Sequence, residues 1–154
     1  MKQYLIEFFM FNDRANKTIL EKIKLMPSPG DAVKLFTHMI NSLNKWMARL
    51  TNAIGETDLL WFEAPYKLDE LESHWSEVLK SWIDYLNART EDELYNEIKF
   101  TSSEGKKLGA LLKDITLQIN YHQIHHRAQI CMMLRKQGIQ PPFIEYIGGV
   151  VHRY

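Results

Sequence analysis

Tyr121-His122-Gln123-Ile124-His125-His126-Arg127-Ala128-Gln129 is the stretch on which the reading of this chain turns. Three of the six histidines fall within it. His122 and His126 are four residues apart, a spacing that on an α-helix sets two side chains on one face, one turn apart. Two imidazoles so placed can grip one metal ion. Working outward, Leu108, Leu112, Ile115, Ile119, His122, His126, Gln129 and Met133 recur at steps of four and three. That periodicity predicts a helix of about seven turns starting near Leu108. Arg135 and Lys136 suit its last turn, Gly138 its C′ position, and Pro141-Pro142 follow as stop signals.

The rest of the chain supplies three more amphipathic segments. Residues 3–24 place Leu5, Phe8, Asn12, Ala15, Ile19 and Ile23 on one stripe. Asn12 on that stripe needs a buried partner or marks a site. Ser28-Pro29-Gly30-Asp31 is a helix start, with Ser28 as cap and Pro29 in the first position. The second helix runs from about Pro29 to Asn52, with His38 at the edge of its apolar face and small Ser42 one turn on. Gly55 to Lys67, with Trp61, Phe62, Pro65 and Tyr66, is too long for a tight turn, so the second and third helices need not be antiparallel neighbours. A third helix is expected from Leu68 to Asn87, carrying Trp75 and Trp82 on its seam and His74 beside it. Arg89 to Lys107 breaks the pattern, and Ser102-Ser103-Glu104-Gly105 is turn chemistry, so an irregular segment or small hairpin is expected there. The tail from Phe143 to Tyr154 reads as a turn or short helix. The fold class is all-α, a four-helix bundle with a long crossover between helices 2 and 3, as one domain over residues 1–154.

Composition narrows the partners. Lysine plus arginine balances aspartate plus glutamate at 19 each, and no basic run occurs. Nucleic acid and anionic membranes are poor partners for such a chain. Glu7 and then Asn12-Asp13-Arg14 spoil a signal-peptide reading of the apolar start, and no apolar run reaches spanning length. Cys131 is the one cysteine. Without an internal disulfide a reducing, cytoplasmic setting is expected, with Cys131 as an ordinary packed thiol.

The seam of the last helix changes character halfway, from Leu108, Leu112, Ile115 and Ile119 to His122, His126 and Gln129. Unsatisfied polar groups facing a core cost about 1–3 kcal/mol each. A shared metal satisfies two imidazoles together; a wet pocket or buried hydrogen bonds are the alternatives. Gln123 stands where a zincin helix needs glutamate, and no histidine has a glutamate three residues before it, as a di-iron bundle would. A third ligand must come from His38, His74, His125, His152 or a carboxylate. His125 points about 100° away from His126 and faces solvent or an outer role. His38 is the best remaining choice and His74 the next.

His122 to Ile130, then Leu134-Arg135, Gly138 and Pro141-Pro142, resembles the last-helix signature of the DinB/YfiT-like family. Phe11-Asn12-Asp13-Arg14-Ala15-Asn16 is similar to its first-helix pattern, and Leu35-Phe36-Thr37-His38-Met39-Ile40 with Trp46 to its second-helix histidine segment. The resemblance implies a divalent metal, nickel or zinc, on His38, His122 and His126, and a homodimer. It also implies a small-molecule substrate and, in some members, a transferase or isomerase using a low-molecular-weight thiol such as bacillithiol or mycothiol. Ala128 replaces the usual glycine, and Phe143-Ile144-Glu145-Tyr146 stands where an aspartate-bearing stretch is usual. On this reading a metal-activated thiol attacks a small electrophile; Arg127 holds the helix or a carboxylate, and Gln129 supports His126. A metal-dependent hydrolase and a non-catalytic metal-binding bundle are the alternatives.

Overall fold

The computed structural model describes residues 1–51 and 65–151. Four helices dominate it: α1 (Lys2–Ile23), α2 (Gly30–Thr51), α3 (Leu71–Asn87) and α4 (Leu112–Lys136). An antiparallel hairpin, β1 (Glu97–Thr101) with β2 (Lys107–Leu111), precedes α4, and short 3-10 turns lie at Asp92–Tyr95 and Tyr146–Gly149. The four-helix bundle is as expected. Much of the Gly55–Lys67 connection lies outside the described residues. Among the described residues, no helix is long and apolar enough to cross a membrane.

Helix direction follows from which residues meet. Asn12 bonds Asn120 and Asn16 bonds Gln123, so α1 and α4 run parallel. Phe36 packs on Trp75, and the Trp82 indole donates to the Leu43 carbonyl at 3.1 Å, so α2 and α3 also run parallel. Phe9 against Trp82 and Asp13 against Trp75 make α1 and α3 antiparallel. Parallel neighbours cannot be joined by a tight turn, which is the physical reason for the long connection between α2 and α3. Helices α1 and α2 each pack on α3 and α4.

Trp75, Trp82, Phe9, Phe36, Met39 and Leu43 are fully buried at the centre. Each indole N–H has an acceptor, Asp13 Oδ1 for Trp75 at 2.9 Å and the Leu43 carbonyl for Trp82, so neither large ring buries an unpaired donor. Gly138 ends α4 with φ +76°, the left-handed conformation that a glycine takes at little cost. Just before it, Gln137 clasps the start of the second helical stretch. Its Oε1 accepts from the Ser28 backbone N–H at 3.0 Å, and its Nε2 donates to the Ser28 carbonyl at 2.8 Å.

Two boundaries differ from expectation. α3 starts at Leu71, after a turn over residues 68–70. α4 starts at Leu112, because Leu108 belongs to β2, opposite Phe100, and is exposed. Strand pairing supplies the backbone bonds of residues 107–111, and Gly109 lowers the competing helix propensity. The deep face of α4 also differs. Beyond Ile119 it consists of Asn120, Gln123, Arg127, Ile130 and Leu134, while His122, His126, Gln129 and Met133 lie half-buried along its edge.

That deep face is polar where it meets α1. Arg127 Nη1 donates to Asn12 Oδ1 at 2.6 Å and to Asn16 Oδ1 at 2.9 Å. Asn12 Nδ2 donates to Asn120 Oδ1 at 2.6 Å, and Asn16 Nδ2 to Gln123 Oε1 at 3.2 Å. Gln123 Nε2 then reaches the Met39 carbonyl on α2 at 3.3 Å. All five side chains are at most 2% exposed. Every bond joins one helix to another, so the network fixes the axial register of α1, α4 and α2. Its last link ends beside His38.

Candidate metal centre

His38 comes from the middle of α2, and His122 and His126 from successive turns of α4. The register set by Gln123 and Met39 brings them face to face. His122 Nε2 lies 3.2 Å from His38 Nε2 and 3.0 Å from His126 Nε2. One nitrogen of each ring lies within 4.8 Å of the others. A single ring nitrogen carries either a proton or a lone pair in its plane, so hydrogen bonding alone serves two such contacts at His122 poorly. A shared ion serves both. Tetrahedral ligands at about 2.0–2.1 Å from zinc stand about 3.3 Å apart, and six-coordinate neighbours about 3.0 Å apart. The two short contacts fall in that range.

Protonation favours the same reading, because a ligating histidine must be neutral. Burial, reinforced by the neighbouring His126, His38 and His125, pushes His122 down to about 4. Burial also lowers His126, against the opposing effect of its bond to Gln129. That bond runs from His126 Nδ1–H to Gln129 Oε1 at 2.7 Å. It puts the proton on Nδ1 and leaves the Nε2 lone pair turned toward the other rings. Gln129 Nε2 in turn meets His125 Nε2 at 3.3 Å, so one amide steadies both rings. Removing an outer partner of this kind typically costs 10–100-fold in metal affinity. Gln129→Ala is therefore expected to weaken nickel or zinc binding about tenfold or more, read by chelator competition.

The His122 shift also has a sign for stability. In the unfolded chain the imidazole takes its proton near 6.5, in the folded chain near 4. Between those values the unfolded state binds the extra proton, so stability of the chelated protein falls as pH drops through that window and levels below it. The contribution is at most about 3.5 kcal/mol, less because the ring is only partly buried. Urea denaturation at pH 7, 5 and 4 checks it, with His122→Ala expected to show the shallower pH dependence.

The other candidates fall elsewhere. His74 stacks on Tyr66 with ring centroids 3.9 Å apart and lies outside the cluster. His125 is exposed, and His152 is outside the described residues. Among the described residues the cluster contains no carboxylate. Arg127 meets asparagines rather than a carboxylate and serves the register network. Cys131 is buried, as expected, and its thiol is raised by that burial. Ser42 donates its hydroxyl to the His38 carbonyl at 2.8 Å, a local helix bond. The sequence does not single out Asn120, and it marks Gln123 only as the residue in the place of a zincin's glutamate. The available signal was a second stripe, Thr116, Asn120, Gln123 and Arg127, also stepping by four and three.

The Tyr66 backbone N–H donates to Thr37 Oγ1 at 3.2 Å, and the Tyr66 hydroxyl to Asn41 Oδ1 at 3.2 Å. The chain thus returns to the bundle against the turn of α2 that carries His38. No curated protein matches the chain. The sequence model of the DinB family matches residues 1–149. On that match, which spans all four helices, the chain belongs to the DinB family.

Proposed function

We propose that His38, His122 and His126 hold one divalent ion, nickel or zinc, and that the protein is a metal-dependent transferase joining a low-molecular-weight thiol to a small electrophile. The convergence of three Nε2 atoms, with contacts of 3.0 and 3.2 Å, carries the metal reading. Such an ion would supply Lewis acidity, lowering the pKa of a thiol or water beside it, and three neutral ligands leave its charge undiminished. The chain's own part is to orient and hold. Gln129 fixes the tautomer of His126, and the Gln123–Met39 bond holds α4 at the height of His38. Family membership supports the transferase reading, and among the described residues the cluster contains no carboxylate to act as a base for hydrolysis.

The test compares chelated protein with nickel- and zinc-loaded protein, using a panel of small thiols against an epoxide and an activated aryl halide. Metal-dependent thiol consumption, absent in His122→Ala, is the expected result. Metal-dependent ester or amide cleavage without thiol would replace this reading with a hydrolase. Stoichiometric metal with no turnover would leave a metal-binding bundle.

A further inference from the structure

The side of α4 facing away from the histidine cluster lines a cavity. Cys131 and Arg135 lie about 140° and 180° around the helix from His126. With Arg127 and Ala128 they form one wall of a cavity of about 640 Å³, closed by the segment from Gln140 to Tyr146. Arg127 is 2% exposed, yet among the described residues no carboxylate pairs with it. Both of its hydrogen bonds leave from Nη1, to Asn12 and Asn16. The guanidinium lies over Phe11, with Arg127 Cζ 5.3 Å from the ring centroid. Among the described residues Nε and Nη2 have no hydrogen-bond partner, and neither is a fully buried unsatisfied atom. Arg127 is one of the residues lining the cavity.

A guanidinium presents five donors in a rigid fork. Here one edge is spent on the asparagines, and the other is offered to a cavity whose far wall is apolar, with Pro142, Phe143 and Ile144. Arg135 adds a second cation on the same wall, two turns along. Among the described residues Glu145 is the one carboxylate lining the cavity; it is exposed and pairs with neither arginine. It would repel a second negative charge. We propose that this cavity is a ligand site separate from the histidine cluster, taking a small organic monoanion with an apolar body, of the aromatic-carboxylate kind. The carboxylate meets the free edge of Arg127 and the Arg135 side chain, and the ring lies against Phe143 and Ile144.

The probe is 1-naphthoate, titrated into the 154-residue protein by 1H–15N NMR beside its neutral counterpart 1-naphthalenemethanol. Naphthoate is expected to shift the backbone amides of Cys131 and Ile144 and to bind about tenfold or more tightly than the alcohol, the worth of a charge-assisted hydrogen bond. Arg135→Ala should weaken naphthoate and leave the alcohol unchanged. Ala128→Trp, which fills the cavity from an exposed position, should block both without altering metal loading. Equal affinity for the two compounds would overturn the proposal, reducing Arg127 to a clamp for Asn12 and Asn16. So would binding that survives Ala128→Trp, or no shift at Cys131 and Ile144.

Discussion

His122→Ala is expected to leave the bundle folded and to abolish stoichiometric nickel and zinc binding. His122 stands between the other two rings, with Nε2 contacts of 3.2 and 3.0 Å, so its loss removes both short edges of the cluster at once. Loss of an outer partner costs 10–100-fold in affinity, and loss of a ligand should exceed about a hundredfold. The fold should tolerate the change. His122 is half-buried, its Nδ1 is buried without a partner, and the side chain takes no part in the asparagine–arginine network. An unpaired buried polar atom costs about 1–3 kcal/mol, so the chelated variant should match or exceed the chelated wild type in stability near neutral pH. His38→Ala should lose metal similarly, while His74→Ala, which removes a ring stacked on Tyr66, should keep it. Elemental analysis after reconstitution reads all three. Full metal retention in His122→Ala would contradict the assignment.

Arg127→Met is expected to destabilise the protein by about 3 kcal/mol or more. The substitution keeps an unbranched apolar stem and deletes the fork that satisfies Asn12 Oδ1 and Asn16 Oδ1. Both asparagines are 0% exposed, so water cannot replace the lost donor without opening the interface. Removing a whole buried polar network can be neutral, but removing one member leaves the others unpaired. For a chain of this length the loss corresponds to roughly 10 °C in Tm. Arg135→Met, on the exposed end of the same helix, should change stability by less than about 0.5 kcal/mol. The network also sets the height of α4 against α2 through Gln123 and the Met39 carbonyl. Arg127→Met should therefore weaken metal binding as well, although it touches no histidine of the cluster. A loss below about 1 kcal/mol in urea denaturation would show that hydrophobic packing alone holds the register.

The metal cluster was half legible in the chain. The His122–His126 spacing reads directly, because a helix turn translates four residues into one face. His38 is a nonlocal partner; its position at the edge of an apolar face and the family resemblance suggested it, and the bundle brings it to the other two. The deep face of α4 was less legible, because two stripes there share the same spacing. Leu112, Ile115 and Ile119 serve both, and the apolar first half drew the reading toward the histidine stripe. What turns the helix is the match of Asn120, Gln123 and Arg127 to Asn12 and Asn16, a complementarity between segments over a hundred residues apart. Leu108 was assigned to the helix for the same reason. Its periodicity is helical, but its backbone partner is Phe100 in the preceding strand. The parallel run of α2 and α3 was visible only as the length of their connection.

X-ray absorption spectroscopy of protein loaded with one equivalent of nickel or zinc tests the central claim most directly. Three imidazole nitrogens at about 2.0–2.1 Å in the wild type, with that three-imidazole signature lost in His38→Ala, is the predicted result. A sphere with fewer than two imidazoles, or one unchanged in His38→Ala, would contradict it.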